Sequence, residues 1–97
     1  MVTQFESRVS ASPDVMVRQV GEESVVLNLK TEQYMGLDDI ATSMWNALTT
    51  SESVEAAYKG LAANYDVDGE QLRRDLDDFV QELIRLGLIA VGDQKQG

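Results

Sequence analysis

The sequence predicts an α+β domain in which a three-stranded antiparallel sheet is followed by three helices. Three observations carry this. Stretches that alternate in the extended manner precede Gly36, stretches with helical spacing follow it, and Glu32 to Leu48 passes through that glycine from one pattern to the other. The expected divisions are a loose arm over residues 1–13 ending at the only proline, a folded domain over 14–91, and a polar tail over 92–97.

Taken in order, Val15, Val17 and Val20 alternate with polar or long side chains and form a first strand. Gly21-Glu22-Glu23-Ser24 supplies turn chemistry before a second strand at Val25–Leu29, which makes a hairpin. Lys30-Thr31-Glu32 is a second polar break, and Gln33 to Met35 is a short third strand at the sheet edge. Gly36 permits a turn that a side chain would resist, and Asp38 is a good N-cap.

Ile40, Ala41, Met44, Trp45 and Leu48 then fall on one helical face, so the only tryptophan is a core anchor. A polar linker at Thr49–Ser53 leads to a second helix whose apolar face is Val54, Ala57, Tyr58, Leu61, Ala62 and Tyr65. Asp68 and Gln71 fit a capping box opening the longest helix, with Leu72, Leu76, Phe79, Val80, Leu83 and Leu86 inward and Gly87 as its stop. Leu88 to Val91 is a short apolar segment expected to lie back on the core.

Composition narrows the function. Hydrophobic residues make up 43% of the 97, enough for a single small core. A net charge of −9 and a pI near 4.2 disfavour nucleic acid and anionic membrane, because phosphate binding is driven by Lys and Arg displacing counterions. The chain has no Cys and no His, which removes disulfides, thiolate and imidazole metal ligands, and His-assisted nucleophiles. No apolar run approaches the ~20 residues that span a bilayer, and the N-terminal residues lack a signal-peptide core, so the expected compartment is the cytoplasm.

Two patterns compete with simpler readings. Asn64, Asp66, Asp68, Gly69 and Asp75 take positions of a calcium-binding loop, but Asn opens it, Asp closes it where a longer Glu is usual, and the last positions fit inside the third helix. Capping chemistry is the better account, and no metal or cofactor is expected. Arg74, Asp75, Asp78, Glu82 and Arg85 recur on the outward side of that helix and by themselves describe a solvated face with internal charge pairs. Asp77 and Asp78 are adjacent but point apart on a helix, with no second catalytic group beside them, so no enzymatic activity is expected. The short third strand leaves backbone groups unpaired at an edge that no proline blunts.

Val-Val-Leu-Asn-Leu, Tyr34-Met35-Gly36-Leu37-Asp38, Trp45, Tyr65-Asp66-Val67-Asp68 and Leu83-Ile84-Arg85-Leu86-Gly87-Leu88-Ile89 come in an order that resembles the pyrroloquinoline quinone biosynthesis protein D family. The resemblance runs from about Asp14 to Val91. This PqqD-like family is the model for recognition elements of ribosomally made, post-translationally modified peptides (RiPPs), and includes standalone leader-binding proteins of lasso-peptide biosynthesis. It implies a winged helix-turn-helix-like domain that performs no chemistry and takes the leader of a precursor peptide as an added strand. Gln33, Tyr34, Met35 and Gly36 would offer the edge, and Asp75, Asp78, Phe79 and Glu82 the helix wall.

Tyr34 and Met35 must face opposite sides of the strand, which leaves open which one looks toward the helix. The acidic wall predicts a leader with Lys or Arg beside apolar anchors. Implied partners are the precursor and the leader peptidase or maturation enzyme of its pathway. The lasso type is favoured, and a peptide chaperone for a radical SAM enzyme is the alternative. Two rivals of other classes fit less well. A winged-helix DNA binder needs a basic recognition helix, and an acyl carrier protein needs an Asp-Ser-Leu attachment site, and this sequence has neither.

Overall fold

The computed structural model describes residues 5–64 and 66–93. Tyr65, expected on the second helix, and the end of the tail at 94–97 lie outside the described residues. The elements follow in the order β1 (Ser7–Ala11), β2 (Val15–Val20), β3 (Glu23–Asn28), β4 (Tyr34–Leu37), α1 (Asp39–Thr50), α2 (Val54–Asn64), α3 (Gly69–Arg85) and β5 (Ile89–Asp93). Strands β2, β3 and β4 form an antiparallel meander in that spatial order, and β1 pairs antiparallel with β5 in a separate ribbon. The meander followed by three helices is the winged helix-turn-helix-like α+β arrangement expected.

The ribbon corrects one expectation, the loose arm, and agrees with another, the apolar segment after Gly87. Residues 7–11, expected within a loose arm, are a strand whose Val9 is fully buried, and Leu88 and Ile89 enter the core at the start of the strand that pairs with it. Val9 is the only large apolar residue of Ser-Arg-Val-Ser-Ala, too weak a pattern to announce a strand. Pairing across about 80 residues of chain supplies what local propensity does not.

Local chemistry explains the remaining boundaries. Gly21 takes φ +63° in the two-residue β2–β3 turn, a left-handed conformation in which a side chain would be strained. Asp38 caps α1 by accepting from the Ala41 N–H at 2.8 Å, and Ser53 Oγ accepts from Ala56 N–H at 3.0 Å at the start of α2. Asp68 caps α3 through the Glu70 N–H, but Gln71 turns its amide to Asp75 at 2.8 Å, so only half of the expected capping box forms. At the other end Gly87, at φ +71°, donates to the Ile84 carbonyl while Leu88 N–H reaches Leu83 O. These two bonds are a Schellman motif, and they turn the chain into β5.

The core joins one face of the sheet, through Val26 and Leu37, to Trp45 and Leu48 of α1, Val54 and Leu61 of α2, and Leu76, Val80 and Leu83 of α3. Trp45 is 4% exposed, the anchor its spacing predicted. Ile40, expected on the same buried face, is 56% exposed at the first turn of α1.

Candidate functional site

Among the described residues strand β4 pairs only with β3, which leaves its other side an open edge. Backbone hydrogen bonds determine which of its residues serve that edge. Asn28 N–H donates to Gln33 O at 2.8 Å, which makes Asn28 and Gln33 a hydrogen-bonded pair. Hydrogen-bonded and non-bonded pairs alternate along an antiparallel ladder. In the register Leu27↔Tyr34, Val26↔Met35, Val25↔Gly36, Ser24↔Leu37, the groups of Met35 and Leu37 therefore point inward to β3. The N–H and C=O groups of Tyr34 and Gly36 point outward. Gln33 lies just before β4 with its carbonyl committed to β3, so of the expected edge residues Tyr34 and Gly36 hold the outward groups.

Side chains alternate the other way. Met35 stands opposite the buried Val26 and is packed against the core, whereas Tyr34 stands opposite Leu27 on the outer face and is 66% exposed. The side of the sheet that carries the helices therefore receives Met35, which decides the alternative the sequence left open.

The two ends of α3 are tied near opposite ends of β4. At one end Asn28, which leads into the β3–β4 turn, donates from Nδ2 to the Gly87 carbonyl at 2.8 Å, just beyond α3. At the other, Ile40 and Met44, in the first turns after β4, share a hollow of about 150 Å³ with Leu61, Val67, Gln71, Leu72 and Asp75. The hollow is apolar inside and carries a carboxylate and an amide among its lining residues. It is sized for a single aliphatic or small aromatic side chain. Sequence reasoning missed Val67 and Gln71 here, for a loop residue and a helix-cap residue carry no periodic signal.

The four residues expected on the α3 wall fare differently. Asp75 borders the hollow and accepts from the Gln71 amide. Asp78 is exposed one turn further along. Glu82 is ion-paired with Arg85, which holds its carboxyl below the usual carboxylate range and raises the arginine in return. Phe79 is 6% exposed and belongs to the core.

The calcium-like spacing is broken up by these same elements. Asp68 is spent on the α3 cap and Asp75 sits nearly two turns into the helix, bonded to Gln71. Among the described residues no group of three or more Asp and Glu side chains could hold a metal ion. Thermal stability should therefore be unchanged by excess calcium or by EDTA, and a rise in melting temperature with calcium would overturn this account.

The fold and its open, short edge strand are those expected of a PqqD-like recognition element. The chain belongs to the Coenzyme PQQ synthesis protein D (PqqD) family, which residues 23–89 match. Among solved structures it is similar to "TbiB1 in Complex with the TbiA(beta) Leader Peptide", with 31% identity, TM-score 0.76, and 82% of this chain and 93% of that one covered. It is likewise similar to "Lasso peptide synthetase B1 complexed with the leader peptide", with 25% identity, TM-score 0.74, and coverage of 88% and 98%. No curated protein matches the chain. No helix among the described residues is long and apolar enough to cross a membrane.

Proposed function

We propose that this protein is a non-catalytic recognition element that binds the leader of a ribosomally synthesised precursor peptide, of the lasso type, and presents it to the enzyme that processes it. The observation that carries this reading is the open β4 edge, with Tyr34 and Gly36 directing backbone groups outward. Both structural neighbours carry leader peptides, which supports the same role here. The leader adds as a strand to β4, main-chain bonds supply affinity, and side-chain pockets supply choice. An apolar leader residue enters the hollow between α1 and α3, with a basic neighbour beside Asp75 and Asp78.

The processing enzyme has a separate surface available. Met16, Val25 and Tyr34 are exposed on the outer face of the sheet, away from the helices, and offer it an apolar platform continuous with the strand that holds the leader.

The test is titration of isotopically labelled protein with the synthetic cognate leader of a lasso-type precursor, followed through amide shifts. Perturbations should cluster on residues 33–37 and on α3 from Asp75 to Glu82. Shifts confined to α2 or β1, with 33–37 untouched, would rule out strand addition at this edge. Charge reversal at Asp75 and Asp78 to Lys should weaken a basic leader mainly by slowing association, and less so in high salt, since exposed pairs are screened beyond about 10 Å at 0.1 M. Reversal at Glu82 should do less than at Asp75, because Arg85 already neutralises it. Stopped-flow association rates at two ionic strengths check both statements.

A further inference from the structure

One buried polar residue stands where the two sides of the peptide site are joined. Asn28 is 7% exposed at the end of β3, and both its amide oxygen and its amide nitrogen are hydrogen-bonded. Oδ1 accepts from Lys30 N–H at 2.9 Å and Thr31 N–H at 3.1 Å, and Nδ2 donates to Gly87 O at 2.8 Å. Two amide donors on one side and a carbonyl on the other fix the orientation of the side-chain amide. Its backbone is also committed, with N–H to Gln33 O and C=O accepting from Glu32 N–H at 2.7 Å. Glu32 itself is held at φ +65°, a left-handed conformation uncommon for a residue with a side chain. The β3–β4 turn is thus wound around Asn28 and fastened through it to the end of α3.

No other common side chain of this length serves both functions. Aspartate could keep the two turn bonds but has no donor for Gly87, and alanine would lose all three.

We propose that Asn28 is a positioning residue of the peptide site: its Nδ2–Gly87 bond sets the separation and angle between the open edge of β4 and the acidic face of α3. The proposal rests on the leader-binding reading above for its consequence, but the clamp itself is a property of the free protein. Asn28 is buried at the end of β3, one strand in from the open edge. It acts by holding the turn that delivers Tyr34 and Gly36 to the edge at a fixed distance from the helix that forms the opposite wall.

The test compares Asn28→Asp with Val9→Ala, a core truncation in the β1–β5 ribbon that lowers stability away from the site. Residual dipolar couplings of the free proteins report the angle of α3 to the β3–β4 pair, and titration with the synthetic leader reports affinity. Asn28→Asp should reorient α3 relative to β4 and weaken the leader at least tenfold, while Val9→Ala does neither. A second measurement needs no variant: the Asn28 Nδ2 protons of the wild-type protein should exchange with solvent far more slowly than those of Asn46, which is exposed.

Unchanged couplings in Asn28→Asp, or solvent-rate exchange at Nδ2, would overturn the clamp. Reoriented couplings with leader affinity no weaker than in Val9→Ala would overturn the positioning role. Wild-type protein that takes up no leader would count against the function proposed above instead, and the couplings and exchange rates would still decide the clamp.

Discussion

Tyr34→Pro is expected to weaken leader binding by about tenfold to a hundredfold while the protein stays folded, and Met35→Pro is expected to damage the fold itself. The two neighbours differ because their backbone groups point in opposite directions. Proline at position 34 removes an N–H that faces the open edge, so the sheet loses nothing and the incoming strand is left with an unpaired carbonyl. An orphaned acceptor costs about 1–3 kcal/mol, and each 1.4 kcal/mol is a factor of ten in affinity.

Proline at position 35 removes an N–H that the ladder directs to Val26, a fully buried residue of the central strand. The same order of cost, about 1–3 kcal/mol, then falls on stability, with lost packing of Met35 added. Thermal unfolding combined with leader titration separates the two. If Tyr34→Pro binds the leader normally and a folded Met35→Pro does not, the leader does not use this edge.

Trp45→Ala should destabilise the domain by about 3–5 kcal/mol, as truncation of a buried large aromatic usually does. Trp45 is 4% exposed in a core shared by all three helices and the sheet. A domain of this size commonly has only about 5–15 kcal/mol in hand, so the variant should unfold at a markedly lower urea concentration. A near-neutral result would place the indole at a surface rather than in the core.

Around the core, charge and aromatic contacts hold the N-terminal segment in place. The Arg73 guanidinium lies 4.0 Å from the centroid of Phe5 and 5.0 Å from that of Tyr58, and it pairs with Glu55 at 3.2 Å. Phe5 O also accepts from Glu55 N–H at 2.6 Å. These contacts fasten the chain just before β1 to α2 and α3.

The sequence by itself determined the order of the meander and the helices, the caps at Asp38 and Asp68, the stop at Gly87 and the burial of Trp45. Each of these depends on neighbours within a few residues, and periodicity and capping report such neighbours directly. It also made β4 the last and shortest strand of the meander, hence an edge. Only the tertiary structure decided that residues 7–11 pair with 89–93, because Val9 alone gives no pattern and the partner lies at the far end of the chain.

The same holds for the facing of Tyr34 and Met35. Alternation says that they differ, but which one turns inward depends on the register against Val26 and on the Asn28–Gln33 bond. Phe79 and Glu82 show a further limit. Helical spacing put Phe79 inward, where it lies, but the family resemblance also set it on the wall with Glu82, and Glu82 is taken by Arg85. The hollow between α1 and α3 depends on how far apart two helices stand, and that distance follows from packing and from the Asn28 tie rather than from any single stretch of sequence.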